Sequence, residues 1–109
     1  MKNSCITNID DYLLNETKIL SLAEQNSPLL LKLAKLCLPY FFSKLYELKP
    51  KLKRSELIFC IYLKLNFTTK EIATFLNVSP KAIQNRKNRF RKKLNISSDI
   101  DLTKWLDGI

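Results

Sequence analysis

The feature that most constrains this chain is the spacing of caps and stops between Thr68 and Asn95, TTKEIATFLNVSPKAIQNRKNRFRKKLN. Thr68 followed three residues later by Glu71 is the pattern of a capping box, in which each residue satisfies a free backbone amide of the other. Ser79 followed by Pro80 marks a second helix start, since serine caps well and proline fits the first helical position. Between them Asn77 stands where a helix must stop, and asparagine tolerates the left-handed conformation that glycine otherwise fills. Two helices joined by so short a connection form a helix-turn-helix. Ile72, Ala73 and Leu76 are expected to face inward from the first, with Val78 plugging the turn into the core. Ile83, Phe90 and Leu94 face inward from the second, 80–94, which Asn95 ends.

The rest of the chain reads as further helices. Apolar spacing over residues 9–24 (Ile9, Tyr12, Leu13, Ile19, Leu20, Ala23) predicts an amphipathic helix. Ser27 as cap and Pro28 as first residue predict another over about 28–37, apolar nearly all round apart from Lys32 and Lys35, and so buried on more than one side. Pro39 ends it or starts the next, whose Tyr40, Phe41, Leu45 and Leu48 are expected inside. Residues 49–54, KPKLKR, read as a basic hinge. A helix over 54–65 places Leu57, Cys60, Ile61 and Leu65 on one face, flanked by Ile58, Tyr62 and Lys64, with Glu56 reaching back to its start and Asn66 ending it. A last short helix, capped by Asp99 and closed by Gly108, carries Leu102, Trp105 and Leu106. The expected fold is all-α: a helix-turn-helix bundle over 51–109, preceded by a helical extension of two to three helices over 1–50. One glycine and four prolines argue against a sandwich or barrel.

Charge points to a polyanionic partner. The chain carries +9. Residues 1–28 hold Asp10, Asp11, Glu16 and Glu24 against Lys2 and Lys18, a net of −2, which leaves +11 for the remainder. Helix 80–94 alone holds Lys81, Arg86, Lys87, Arg89, Arg91, Lys92 and Lys93, with no acidic residue. Opposite its apolar stripe lie Lys81, Gln84, Asn85, Asn88 and Lys92. Glutamine and asparagine pair bidentately with adenine in the major groove. Phosphate contacts are expected from Thr68 and Thr69 at a helix N-terminus, from Lys70, and from Lys81, Arg86, Arg89, Lys92 and Lys93, with Lys87 and Arg91 the cations most apt to point away.

Other chemistries find little support. There is no histidine, and the three cysteines, Cys5, Cys37 and Cys60, are far apart, so no metal site and no cofactor is expected. No phosphate loop or acid/base pair suggests an enzyme. Asp10 and Asp11 lack the α/β surroundings of a phospho-acceptor. No apolar run reaches the length of a membrane span, and no signal peptide opens the chain, so a cytoplasmic protein with reduced thiols is expected.

Residues 52–106 resemble the LuxR/GerE-type helix-turn-helix of bacterial transcription regulators. The resemblance rests on Leu52 and Glu56, on Thr68–Ala73, on Leu76-Asn77-Val78-Ser79 with the following PKAI, and on Arg91-Lys92-Lys93-Leu94. The wording is most similar to a Bacteroidetes-type subgroup, where an aromatic helix like Pro39-Tyr40-Phe41-Phe42 precedes the motif. Lys53 departs from the threonine usual there, so the forward half of that capping box is missing. The resemblance implies double-stranded DNA as partner, Gln84, Asn85 and Asn88 as base-facing positions, and a homodimer contact through Leu102, Trp105 and Leu106. The last helix can equally serve only to close the core, and the apolar helices of residues 28–48 are an alternative dimer surface, a dock for another protein or an extension of the core. The resemblance implies a sequence-specific transcriptional regulator. The alternative is a helical adaptor that binds RNA polymerase, another regulatory protein or an acidic partner.

Overall fold

The computed structural model describes residues 18–109. The expected helix start near Ile9, the Asp10–Asp11 pair and Cys5 lie outside the described residues. Those described are helical with turns and no strand: α1 (18–24), α2 (Leu30–Cys37), α3 (Pro39–Leu48), α4 (Arg54–Lys64), α5 (Thr69–Leu76), α6 (Pro80–Leu94) and α7 (Leu102–Asp107). α4 is the central element. α2 and α7 both pack on it, α3 packs on α2, and α5 packs on α6.

The asparagine stops form as expected. Asn66, Asn77 and Asn95 all have positive φ, and so does Asn26. In each case the following amide reaches back across the last turn: Ser27 to Leu22, Phe67 to Tyr62, Val78 to Ala73 and Ile96 to Arg91, at 2.8–3.3 Å. These bonds satisfy carbonyls that a helix end leaves without partners. The recurrence makes four sharp chain reversals with no glycine.

Several inward assignments change. α2 begins at Leu30 rather than Pro28, because Ser27–Leu29 form a separate turn: Ser27 Oγ accepts from the Leu29 amide at 3.2 Å and its carbonyl from the Leu30 amide at 3.1 Å. In α3, Phe42 is buried beside Phe41 and Leu45, whereas Tyr40 (68% exposed) and Leu48 (50% exposed) lie outside. Neighbours 41 and 42 with 45 share one stripe, and 40 falls beyond its edge. α4 is buried nearly all round, through Leu57, Phe59, Cys60, Ile61, Tyr62 and Leu63, while Leu65 is half-buried. The N-terminal helices cover the side that an isolated helix-turn-helix would leave open. Tyr62, fully buried, donates its hydroxyl to the Ala23 carbonyl at 2.6 Å. Arg54 Nη2 donates to the Pro28 carbonyl at 3.3 Å. Leu52, in the basic segment read as a hinge, is buried and anchors it.

Val78 does not plug the core; it is 36% exposed. Its amide is used by the α5 stop, which turns the side chain outward. α7 is capped by Asp101, whose Oδ1 accepts from the Lys104 amide at 3.2 Å, while Asp99 accepts instead from the Ser97 hydroxyl. Leu102 and Leu106 are buried in the chain's own core against α4, and only Trp105 is half-buried. Leu102 and Leu106 thus close the core, and Trp105 is the member of the three that keeps part of its surface outside.

Candidate nucleic-acid interface

α6 is built to be held rigidly at its start. Ser79 Oγ accepts from the Ala82 amide at 3.1 Å, and Pro80 occupies the first helical position. Just before it, the left-handed Asn77 and the Val78-to-Ala73 bond set the angle between α5 and α6. Ile83 and Phe90 are buried. Phe90 meets Phe59 of α4 edge to face, ring centroids 6.2 Å apart, which fixes the rotation of α6 about its own axis.

That rotation sorts the polar residues of α6 into three strips. The outward strip is Lys81, Gln84, Asn85, Asn88 and Lys92, all exposed. The structure thus brings the three expected base-facing residues together on one open face. Asn88 Oδ1 accepts from Gln84 Nε2 at 3.4 Å and from Arg91 Nη1 at 3.2 Å, so two of the three amides are already coupled.

The second strip faces the start of α4. Arg86, Arg89 and Lys93 form, with Lys53, Ser55 and Glu56, the walls of an open groove of about 510 Å³ floored by Phe59 and Phe90. Lys93, expected among the phosphate-facing cations, is engaged elsewhere: its Nζ lies 2.8 Å from both carboxylate oxygens of Glu56. Glu56 also accepts from the Lys53 amide at 2.8 Å, which is the return half of a capping box. A lysine side chain has no acceptor, so the forward half is absent, as the sequence implies. Burial pushes the Glu56 carboxyl up, but the hydrogen bonds from Lys93 and the Lys53 amide, with the two lysine charges, hold it below its ordinary range. Lys53 itself, missed as a candidate because KPKLKR reads as a hinge, lines this cationic groove.

The third strip faces α5 and the approach to α7. Lys87 Nζ donates to Thr69 Oγ1 at 2.6 Å, and Arg91 Nε donates to the Ile100 carbonyl at 3.4 Å. These are the two cations expected to point away. Burial, then the nearby Arg91 charge, hold the Lys87 ammonium below its ordinary value, against a smaller opposing pull from Asp101.

At the start of α5 the capping box closes in both directions. The Thr68 amide donates to Glu71 Oε1 at 2.8 Å, and the Glu71 amide donates to Thr68 Oγ1 at 3.1 Å. The Thr68 and Thr69 hydroxyl oxygens therefore both accept within the fold, while their O–H groups remain donors and Lys70 is exposed. Of the expected phosphate set, Lys70, Lys81, Arg89 and Lys92 are exposed, Arg86 is half-buried in the groove wall, and Thr68, Thr69 and Lys93 have partners within the chain.

Residues 62–106 match the family model described as GerE, bacterial regulatory proteins, luxR family. The match spans the end of α4, all of α5 and α6, and α7 as far as Leu106. No curated protein and no solved structure matches the chain. Among the described residues, no helix is long and apolar enough to cross a membrane.

Proposed function

Residues 62–106 are a LuxR-type helix-turn-helix domain of the kind that DNA-binding transcription regulators carry, and from that premise we propose that α6 enters the major groove of duplex DNA and reads its sequence through Gln84, Asn85 and Asn88. One observation carries this reading. The three amides lie on a single exposed strip of a helix whose roll is set by Phe90 on Phe59, with Lys81 and Lys92 on the strip itself and Arg86 and Arg89 along one border. Amides on such a strip reach base edges, and the cations beside them reach the two phosphate backbones that wall the groove. The N-terminal helices among the described residues pack on α4 and leave this strip open, which favours a DNA reader over an adaptor whose helix-turn-helix is only a scaffold.

The phosphate contacts in this reading come from Lys70, Lys81, Arg86, Arg89 and Lys92. Thr68 and Thr69, whose hydroxyl oxygens accept within the chain, keep their O–H donors for a phosphate at the α5 N-terminus, and Lys93 holds Glu56. Residues 51–109 act as the DNA-reading unit and the preceding helices as an extension built onto it. Two copies bind a palindromic site as a homodimer. Sedimentation of the free and DNA-bound chain at micromolar concentration tests the dimer, and a single copy on the duplex would refute it.

The main test is selection of duplexes from a random pool by the full chain, followed by titration in rising salt. Five phosphate contacts per copy predict a slope of log affinity against log salt of about −4 to −5 per copy. Gln84→Ala and Asn85→Ala are expected to flatten sequence preference while nonspecific binding persists. No duplex binding at low salt would refute the function.

A further inference from the structure

The coupled side chains on α6 determine which base one of its readers can take. Asn88 Oδ1 receives two donors, Gln84 Nε2 at 3.4 Å and Arg91 Nη1 at 3.2 Å. An amide oxygen has two lone pairs, so its acceptor capacity is filled. Arg91 is also held at a second point. Its Nε is tied to the Ile100 carbonyl at 3.4 Å, in the segment before α7, and the side chain is half-buried. Among the described residues, no acceptor takes the Nδ2 hydrogens of Asn88, and the residue is exposed. What Asn88 turns outward is therefore a donor.

We propose that Arg91, acting through Asn88, makes residue 88 a donor-only reader that selects guanine over adenine. This rests on the major-groove reading above. Bidentate pairing of asparagine with adenine needs the amide oxygen to accept from N6 while the nitrogen donates to N7. With Oδ1 occupied, the first of those bonds is lost and the adenine amino group meets no acceptor. Guanine presents two acceptors, N7 and O6, to the same edge, and both Nδ2 hydrogens can be used. Gln84 contributes only one N–H to the network and keeps Oε1, so it retains an edge that suits adenine. The amide strip is thus a mixed reader, although its composition alone suggests three equivalent adenine readers. Arg91 is a positioning residue here: it touches no base, and its effect is on which end of the Asn88 amide faces the groove.

The test uses the full chain and the duplex that it selects, with single-base variants of that duplex. Asn88→Ala identifies the base pair facing residue 88 as the one whose discrimination flattens. At that pair the unmodified chain is expected to prefer guanine to adenine by about tenfold. Arg91→Met removes the donor but keeps an unbranched side chain. It frees a lone pair on Oδ1, and adenine should rise to parity or above. Asn88→Asp keeps the shape and turns an accepting oxygen outward, so preference should move to cytosine, whose N4 donates. Circular dichroism checks that Arg91→Met folds, and Asn88→Asp, at an exposed position, carries the test if it does not. Adenine preferred by the unmodified chain, a guanine preference unchanged in folded Arg91→Met or in Asn88→Asp, or no pair responding to Asn88→Ala would overturn the inference while leaving the groove reading intact. Absence of any sequence preference in the unmodified chain would remove both.

Discussion

Replacing Glu56 by glutamine should weaken the fold by a defined amount and in a defined pH window. Glu56 ties the start of α4 to the end of α6: it accepts from the Lys53 amide at 2.8 Å and from Lys93 Nζ, 2.8 Å from each oxygen. The Lys93 and Glu56 side chains are 31% and 24% exposed, so the pair is neither a free surface pair nor a fully buried one. Exposed pairs contribute about 0–1 kcal/mol, and hydrogen bonds to charged groups in shielded sites about 1.5–3 kcal/mol. The intermediate exposure puts this pair near 1 kcal/mol. Glutamine keeps an acceptor for the Lys53 amide, so Glu56→Gln removes mainly the charge and should cost about 1 kcal/mol, or about 4 °C in Tm for a chain of this size. Glu56→Ala also leaves the helix-start amide without its partner and should cost about 2 kcal/mol. The assay is urea unfolding followed by circular dichroism at descending pH. The carboxyl is held below its ordinary value of 4.5 in the folded chain. Its contribution is therefore present above that value and is lost as the pH falls through the lowered one. Glu56→Gln has no such group, so the gap between the two proteins should close in acid. Combination with Lys93→Met in a double-mutant cycle isolates the pair. Equal stability at neutral pH, or a gap that persists undiminished in acid, would refute the reasoning.

Other perturbations test other joints of the fold. Tyr62→Phe removes the buried bond to the Ala23 carbonyl and should cost about 1 kcal/mol in urea unfolding; that carbonyl keeps the Asn26 amide at 3.0 Å, which holds the loss to that level. Lys87→Met should raise Tm at neutral pH, because burial and the Arg91 charge depress the ammonium below its ordinary 10.5. The folded chain then binds fewer protons than the unfolded one, so the unmodified protein gains stability as pH rises toward 10.5 and the advantage of the variant shrinks there. Cys60 is fully buried and its thiol is pushed up to about 12 by burial and by the Glu56 charge. In a timed labelling experiment Cys37 should react before Cys60, which should react only on unfolding; early modification of Cys60 would contradict its place in the core.

How much of the site was legible depended on how local its physics is. The limits of α6 at Pro80 and Leu94 followed from Ser79, Pro80 and Asn95, because a cap acts within three residues of itself. The strip of Gln84, Asn85 and Asn88 followed from the period of the helix once Ile83 and Phe90 were placed inside. The extensive burial of α4 did not. A helix covered nearly all round has little polar face to announce it, and only its neighbours from both halves of the chain decide that Phe59, against Phe90, and Tyr62, against Phe75 and the Ala23 carbonyl, lie inside.

The sequence by itself determined the kind of element and its punctuation: helices capped at Thr68 and Ser79, stopped at Asn66, Asn77 and Asn95, with one of them carrying amides among cations. Only the tertiary structure decided what each polar group has left to offer. Lys93 meets Glu56 across 37 positions, Lys87 meets Thr69 across 18, and Arg91 is tied to the Ile100 carbonyl. Such partners lie beyond the reach of any local pattern. A charge or an amide is available to a ligand only after the fold has settled its partners within the chain.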